Sequence, residues 1–438
     1  MFAKGDARTK LSYVLMGAGC YLRGQIVKGL LFLFIEACYI VYMVQFGAGQ
    51  LALFGTLGVA TRKQVWDEAQ GIFLYEPGDN SMMILLFGTI TLIITLIVFI
   101  IYIMNIRASY KNQLDREAGL KLNSFIQDAK TLLDKNLHAF FLTVPGIGII
   151  LFTIMPLVFM ILIAFTNFDY SHQPPGNLFT WVGLKNFANV FYSDPIKSTT
   201  FYGVLIWTIV WAVLATFLNY IFGILLAMLI NKKGIKLKRM WRTFFVVTMA
   251  VPQFVTLITM SFILDTNGPM NIILKSLGLG AINFFGSVAW ARASVVLVDI
   301  WVGVPYTMLI TTGILMNIPE ELYESARIDG AGPFTTFRKI TMPYMFAVTA
   351  PYLIAQFMGN INNFNVIYFL TQGNPATLDY YQAGKTDLLI TWLYKLALNH
   401  QDYNIAATVG ICTFVVLAVV SIITFNITSS RKKEETFQ

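Results

Sequence analysis

The sequence predicts an all-α polytopic membrane protein with about eight transmembrane helices. Of its 438 residues, 56% are hydrophobic and 12% are charged, whereas soluble domains carry roughly 25% charged residues. Eight stretches are apolar and long enough to cross a bilayer, which takes about 20 residues. Lys and Arg alternate between the segments that connect these stretches. The predicted spans lie near 26–46, 82–106, 140–165, 200–230, 243–264, 293–317, 341–362 and 405–427.

The alternation of basic residues predicts the orientation of the chain. With Lys28 counted in the N-terminal segment, 23 of the 31 Lys and Arg lie in odd-numbered connecting segments and 8 lie in even-numbered ones. Because cytoplasmic segments carry the excess of positive charge, both termini are expected in the cytoplasm. The basic cluster between Lys232 and Arg242 is then interpreted as a topology signal beside anionic lipid. The net charge of +8 therefore does not indicate a nucleic-acid partner.

Residues 1–139 are predicted to form an N-terminal appendage. Within it, residues 11–25 have the pattern of an amphipathic helix lying in the membrane interface. No cleavable signal peptide is expected, because the first apolar run begins late and is as long as the other spans. The first two spans form a hairpin around an external loop. Residues 107–139 are expected to be a cytoplasmic linker with a helix on the membrane surface.

A core of six helices is predicted for residues 140–438. Proline within a spanning helix frees backbone groups that need new partners, so it marks closely packed helices or a lined cavity. The external segment 363–404 contains a predicted short helix, TDLLITWLYKLAL. The prolines of the core helices are Pro145, Pro156, Pro252, Pro305 and Pro351.

A charged segment from Pro319 to Pro343, called the cytoplasmic knob below, separates two apolar runs. Its sequence is PEELYESARIDGAGPFTTFRKITMP. The initial proline and the acidic first turn favour a helix, and Gly330–Gly332 ends it. Pro333 is expected to open a second short helix, and the knob lies on the predicted cytoplasmic side, where a partner can hold it. The apolar face of the second helix would consist of Phe334, Phe337 and Ile340.

The sequence contains no recognisable catalytic or nucleotide-binding motif. Gly384-Lys385-Thr386 resembles the end of a phosphate-binding loop, but Asp379 stands where that motif needs glycine. The three histidines are too widely spaced to predict a metal site. We therefore expect no catalytic residue, no metal and no cofactor in this chain. The energy for any transport must come from an ion gradient or from another subunit.

Two carboxylates, Glu36 and Asp299, fall within predicted spans, where charge is costly enough to make them candidates for function. The isolation of Glu36 favours a structural role. Asp299 belongs to a polar helix face, since residues three and four apart align, and the next span has a second such face. These groups suit a neutral sugar, but hydrogen bonding between helices is an equally open alternative. The faces consist of Asp299, Val302, Gly303 and Tyr306, and of Gln356, Gly359 and Asn360.

The knob also matches the coupling motif of ATP-binding cassette (ABC) importer permeases, E-A-A-x-x-D-G-A followed by F, I and L-P. Here the motif reads ESARIDGA from Glu324 to Ala331, and Phe337, Ile340, Met342 and Pro343 follow. Over most of its length the chain resembles the larger permease subunit of bacterial maltose/maltodextrin importers. The resemblance implies the type I permease fold of ABC importers and a multi-pass location in the bacterial cell membrane. It also implies an ATPase contact made by Glu324, Ser325, Ala326, Asp329, Gly330 and Ala331.

The same resemblance implies the partners and the position of a sugar site. The partners would be a second homologous permease subunit, a dimer of cytoplasmic ATPase subunits that bind the ATP, and an extracellular solute-binding protein. The sugar would contact the two polar faces. The external segment 166–199 lacks the large insertion of the best-known maltose member. The family pattern is kept by Gly303, Tyr306 and Asn360, while Asp299, Gln356 and Gly359 replace Asn, Ser and Phe.

The sequence thus predicts the permease subunit of an ABC importer for maltodextrin-type oligosaccharides, with no enzymatic activity of its own. The rival hypothesis is an ion-coupled secondary sugar transporter that uses Asp299 and Glu36 as ion carriers. A third hypothesis is a structural or receptor subunit without transport.

Overall fold

The computed structural model describes residues 1–68, 71–134, 137–232 and 234–435. The described chain is mainly α-helical, which agrees with the predicted class. It forms two compact units, Met1–Gly183 and Leu184–Gln438. The division that we predict at residue 139 follows the linker in the sequence and stays a prediction.

The described part of the first unit contains three long helical segments, Ile26–Phe54, Ser81–Glu117 and Phe141–Ile163, and a two-stranded sheet. Strand β1 (Lys63–Asp67) pairs antiparallel with β2 (Ile72–Glu76), and Trp66 lies opposite Phe73. A π-helical turn at Met43–Gly47 joins α3 to α4, and another at Ile150–Ile154 joins α7 to α8. The helices are α1 (Ala7–Leu11), α2 (Ala18–Tyr21), α3 (Ile26–Tyr42), α4 (Ala48–Phe54), α5 (Ser81–Glu117), α6 (Phe125–Asp134), α7 (Leu137–Ile149) and α8 (Met155–Ile163).

The prediction of one amphipathic helix at residues 11–25 is wrong. Only short helices form there, because polar side chains of α5 hold the segment in an irregular path. Arg23 is buried and donates to Asp6 (2.5 Å), Thr9 (2.7 Å) and Ser109 (3.1 Å). Glu36 accepts a hydrogen bond from the backbone N–H of Met16 at 2.8 Å, which is consistent with the structural role expected for it.

The second unit is built around one long helix, α10. The other elements include π-helical turns at Asn189–Ser193, Phe337–Thr341 and Lys395–Asn399 and a 3₁₀ turn at Thr248–Ala250. The helices are α9 (Lys185–Ala188), α10 (Pro195–Asn231), α11 (Lys238–Val247), α12 (Gln253–Ile263), α13 (Pro269–Ser276), α14 (Val288–Leu315), α15 (Glu320–Ile328), α16 (Pro333–Thr336), α17 (Met342–Ile361), α18 (Phe364–Leu370), α19 (Leu389–Tyr394) and α20 (Tyr403–Glu435).

Helix α10 begins at a strong start signal and packs closely against its neighbours. The side chain of Asp194 accepts hydrogen bonds from the backbone N–H groups of Ile196 and Lys197, and Pro195 occupies the first turn. A Cβ added to Gly223 would lie 2.6 Å from the Thr307 side chain of α14. Glycine at this contact lets the two backbones approach, as is common between membrane helices.

The described residues contain six helices that are long and apolar enough to cross a membrane, and one bent pair that could supply a seventh. The bent pair is Lys238–Ala250 with Gln253–Ile263, and its halves meet at 90°. The predicted span at 243–264 corresponds to this bent pair, and the bend itself was not predicted. Pro252 explains the break, since proline lacks a backbone N–H and pushes the preceding residue into an extended conformation.

The predicted span at 341–362 corresponds to α17, which has 20 residues and a length of about 30 Å. This helix is not counted among the six apolar candidate spans, because Thr349, Gln356 and Asn360 make it less apolar than they are. The short helix predicted in 363–404 is confirmed by α19. Beside α19, the carboxylate of Asp387 is fully buried and pairs with Lys395 at 2.6 Å.

Candidate transport and coupling sites

The first predicted polar face lies largely against α10. Asp299 of α14 is only 5% exposed and accepts a hydrogen bond at 2.8 Å from the side-chain amide of Asn219 on α10. A Cβ added to Gly303 would lie 2.5 Å from the same amide nitrogen. Glycine at position 303 therefore permits the Asp299–Asn219 contact, and both predicted residues take part in helix packing here.

The second predicted face also reaches α10. The side-chain amide of Asn360 donates to the Thr216 hydroxyl at 3.0 Å, and its backbone carbonyl accepts from the Trp211 indole at 3.1 Å. Thr216 and Asn219 are three residues apart, so they lie on the same side of α10. The two faces predicted from sequence thus meet on α10, where their buried residues form hydrogen bonds with polar residues of that helix.

A cavity of about 570 Å³ opens between α14, the start of α12 and the turn that precedes α12. Val302 and Tyr306 line it, together with Gln253 and Thr256 of α12 and with the residues from Thr248 to Pro252. Tyr306 is 44% exposed, and its ring centroid lies 6.3 Å from that of Tyr352 on α17. An aromatic ring beside an amide and a hydroxyl suits a sugar, which has an apolar ring face and polar edges.

The remaining predicted residues, Gln356 and Gly359, are not among the residues that line the cavity. Gln356 is half-buried and Gly359 is exposed, and a Cβ added to Gly359 would meet no atom within 4 Å. The seven predicted residues are therefore not gathered in one pocket. The described residues also include no group of three potential metal ligands.

Sequence reasoning missed Asn219, Thr216 and Gln253. The first two lie inside a span that reads as almost uniformly apolar, and their spacing of three residues was the available signal. Gln253 follows Pro252. The proline indicated close packing or a cavity nearby, but it did not indicate which polar residue lines that cavity.

The knob begins with α15, and its end is fixed by backbone hydrogen bonds. The N–H of Gly330 donates to the carbonyl of Arg327 at 3.1 Å, and the N–H of Ala331 donates to that of Ala326 at 2.8 Å. This pair of bonds is the Schellman motif, in which the residue after the helix is left-handed. Gly330 has a φ of +74°, so the predicted turn at Gly330–Gly332 is confirmed.

The residues predicted to contact an ATPase form mostly an exposed surface. Glu324, Ser325 and Asp329 are exposed, as is Gly330, whereas Ala326 is buried on the inner side of α15. Ala331 is half-buried. Two large apolar side chains extend this surface, Ile328 with 86% and Phe334 with 74% of their area exposed. Acidic and apolar groups next to each other on a protruding turn give a surface suited to a protein partner.

The second half of the knob differs from the prediction. Helix α16 continues through the π-helical turn Phe337–Thr341 directly into α17. Because π-type bonds join residues five apart, the turn rotates the next side chains about the helix axis. Phe334, before the turn, is exposed, while Phe337 and Ile340 are half-buried, so the three predicted residues do not share one buried environment, and their common face stays a prediction.

A hydrogen bond within the knob and an apolar cluster hold α15 against the membrane helices. The Tyr323 and Thr341 hydroxyls are 3.1 Å apart, which links α15 to the turn before α17. Tyr323 also packs against a buried cluster that includes Tyr220, Ile318 and Met345. Displacement of α15 therefore acts on α10, α14 and α17 together.

Comparison with known proteins agrees with these features. Residues 219–433 match the family described as "Binding-protein-dependent transport system inner membrane component". The chain is 35% identical over 427 residues to the galactooligosaccharides transport system permease protein of Bacillus subtilis (strain 168), covering 96% of this chain and 97% of that one. It is 34% identical over 443 residues to the maltodextrin transport system permease protein of the same organism, covering 99% and 98%.

A solved structure shares the fold. It is the crystal structure of a bacterial ABC transporter involved in the import of the acidic polysaccharide alginate, with a TM-score of 0.57 and 23% identity. The match covers 69% of this chain and 98% of that one.

Proposed function

Because the chain belongs to the family of binding-protein-dependent transport system inner membrane components, and is a multi-pass permease subunit of an ABC importer, we propose that its cargo is a neutral oligosaccharide. The maltodextrin type is our first choice. Galactooligosaccharides are the second candidate, since a permease for them is 35% identical to this chain over 96% of its length.

The geometry of the knob is the observation that supports coupling of this permease to an ATPase. Glu324 is exposed on α15, and no salt bridge to it is found within the described parts of the chain. Its carboxylate is therefore available to a partner. We propose that a cytoplasmic ATPase dimer binds this surface, that ATP is bound and hydrolysed there, and that the present chain holds neither nucleotide nor cofactor.

Other partners complete the proposed assembly. A second, homologous permease would enclose the translocation path, and an extracellular solute-binding protein would deliver the sugar. ATP-driven closure of the ATPases would displace the knob and switch the cavity between outward and inward access. This mechanism requires two states that ATP and sugar favour to different degrees.

The sugar site that we propose is centred on the cavity beside α14. Tyr306 and Val302 would contact the sugar directly, with Gln356 and Gly359 of α17 reached in another state of the cycle. Asp299, Gly303 and Asn360 remain in the proposed site as the residues whose contacts with α10 hold its walls.

Reversal of charge at the knob tests the coupling proposal. Glu324→Lys should abolish sugar uptake while the amount of permease in the membrane stays unchanged, because Glu324 is exposed and its substitution disturbs no internal contact. Glu321→Lys on the same helix is the matched control and should retain uptake. Normal uptake by the Glu324→Lys variant would disprove the assigned role.

Competition between sugars tests the cargo. Uptake of a labelled maltodextrin should be reduced by unlabelled maltodextrins more than by galactooligosaccharides, and should stop when the ATPase subunit is removed. Uptake that continues without the ATPase but collapses with an uncoupler would favour the ion-coupled rival. Stronger competition by galactooligosaccharides would replace the proposed cargo with the second candidate.

A further inference from the structure

A continuous groove runs along one side of α10 towards its C-terminal, cytoplasmic end. Its inner part is a cavity of about 440 Å³ between α10, α11 and α14, which is within the size range of ordinary ligand pockets. Its outer part is a cavity of about 660 Å³ at the base of α15. Leu225 and Leu229 line both cavities, so the two form one groove.

The inner part of the groove is almost entirely apolar. Its walls are large side chains, among them Phe222, Phe244 and Trp301, which are 44%, 63% and 59% exposed. Surfaces that receive another membrane helix are typically made of small residues, which allow the backbones to approach. The lining of this groove contains neither glycine nor alanine, so it suits a flexible chain better than a helix.

The outer part of the groove adds polar groups, mainly basic, to a lining that is still largely apolar. Lys232 and Arg327 line it, together with the single acid Glu320 and the hydroxyl of Tyr323. From Phe222 to Lys232, α10 rises about 15 Å, which is half the roughly 30 Å hydrocarbon thickness of a bilayer. The apolar part of the groove is thus as long as one leaflet, and its basic part lies at the depth of the head groups.

Helix α11 has the composition of a helix in the cytoplasmic interface. Its first turns carry Lys238, Arg239 and Arg242, and Trp241 and Phe244 are exposed beside them. Basic and aromatic residues on a short amphipathic helix are typical of helices that lie among anionic head groups. Lys238 donates to the backbone carbonyl of Asn231 at 2.8 Å, which holds the start of α11 at the basic end of the groove.

We propose that this groove is a binding site for an anionic phospholipid of the cytoplasmic leaflet, with one acyl chain between α10, α11 and α14 and the phosphate beside Lys232 and Arg327. At its inner end the groove adjoins the cavity proposed for the sugar, since Thr248 and Trp301 line both, but the phosphate site lies at the opposite, basic end. The bound head group contacts Tyr323, whose hydroxyl lies 3.1 Å from that of Thr341. The lipid therefore supports the base of the knob.

The test is lipid retention by the full chain, purified with its partner permease and analysed by native mass spectrometry. The complex is equilibrated with an equal mixture of phosphatidylglycerol and phosphatidylcholine. Wild type should retain phosphatidylglycerol in preference. Lys232→Ala should retain about five-fold less, since a basic residue near the membrane surface contributes about 1 kcal/mol to binding of anionic lipid. Lys121→Ala in the cytoplasmic linker removes an exposed charge elsewhere and should leave retention unchanged.

A second variant fills the groove and keeps every charge. Leu225→Trp should reduce retention of phosphatidylglycerol as strongly as Lys232→Ala. Equal retention of the two lipids by wild type, or equal losses in Lys232→Ala and Lys121→Ala, would overturn the proposal. So would a Leu225→Cys variant that crosslinks efficiently to a helix of the second permease, because the groove would then be occupied by protein.

Discussion

Replacement of Gly330 by alanine should loosen the knob through the backbone alone. Gly330 has a φ of +74°, and a Cβ added there would meet no atom within 4 Å. The cost is therefore the intrinsic cost of a left-handed conformation, about 1–2 kcal/mol for a residue with a Cβ. This corresponds to a roughly 5- to 30-fold larger population of the open turn.

Hydrogen–deuterium exchange of the assembled importer in lipid nanodiscs measures that population. The amides of Gly330 and Ala331 donate to Arg327 and Ala326, so both should exchange about 5- to 30-fold faster in Gly330→Ala. Gly330→Asn should show a smaller increase, since asparagine adopts the left-handed conformation more readily. Sugar uptake per ATP hydrolysed should fall in the same order.

Gly332→Ala is the matched control two residues away. Gly332 has a φ of −72°, and a Cβ added there also meets no atom within 4 Å. Alanine is less favoured than glycine at the N-cap of α16, by up to about 1 kcal/mol, but this cost falls on the start of α16 and not on the turn that ends α15, so exchange of the Gly330 and Ala331 amides should remain near wild type. If Gly332→Ala accelerated exchange as much as Gly330→Ala, the left-handed turn would not be the cause.

Three further predictions concern helix packing, the division of the sugar site and the pH dependence of the external loop. Asn219→Ala should lower the melting temperature of the purified chain, because it removes the donor to a buried carboxylate of α14, a loss of about 1–2 kcal/mol; an unchanged melting curve would refute this. Tyr306→Ala should raise the sugar concentration at half-maximal uptake with assembly intact, whereas Asn360→Ala should reduce the amount assembled, and the reverse pattern would exclude our division of the site. In the external loop, backbone hydrogen bonds, first that from Val59, hold the pKa of Asp79 below its usual range. Because the pKa of Asp79 is lower in the folded loop than its unfolded value of about 3.9, the ionised carboxylate stabilises the loop above that value, and this stabilisation is lost as the pH falls through the folded pKa. Protection of the loop amides from exchange should therefore be constant from pH 7 to about 5 and be lost below about 4. In Asp79→Ala this protection should be absent at every pH.

Much of the fold was predictable because hydropathy and charge act locally. Membrane spans need long apolar runs, and the alternation of Lys and Arg needs no tertiary information. The knob was predictable for the same reason, since Pro319 and Gly330 determine where α15 starts and ends through their own backbone preferences.

The direction of helices and side chains was less predictable. Hydropathy measures transfer into lipid and contains no information on the 90° bend at Pro252. Helical spacing correctly placed Asp299 and Tyr306 on related faces of α14, yet one is buried and the other is exposed. The difference arises from α10, which supplies Asn219 opposite Asp299, and a single polar residue in an apolar run gave little warning of that contact.

The position of α10 connects the two candidate sites. Thr216 and Asn219 bond the polar residues of α17 and α14, and Tyr220, the next residue, belongs to the cluster against which the knob packs. The Tyr220 hydroxyl also lies 2.6 Å from that of Thr349 on α17. From Thr216 to Tyr220, α10 rises only about 6 Å. A rigid helix cannot deform over one turn without breaking buried hydrogen bonds, so displacement of the knob must either move the walls of the cavity with it or disrupt these contacts. The second outcome leaves polar groups unpaired in the membrane, where each costs several kcal/mol. Concerted movement is therefore the favoured response, and it is what coupling of ATP hydrolysis to alternating access requires.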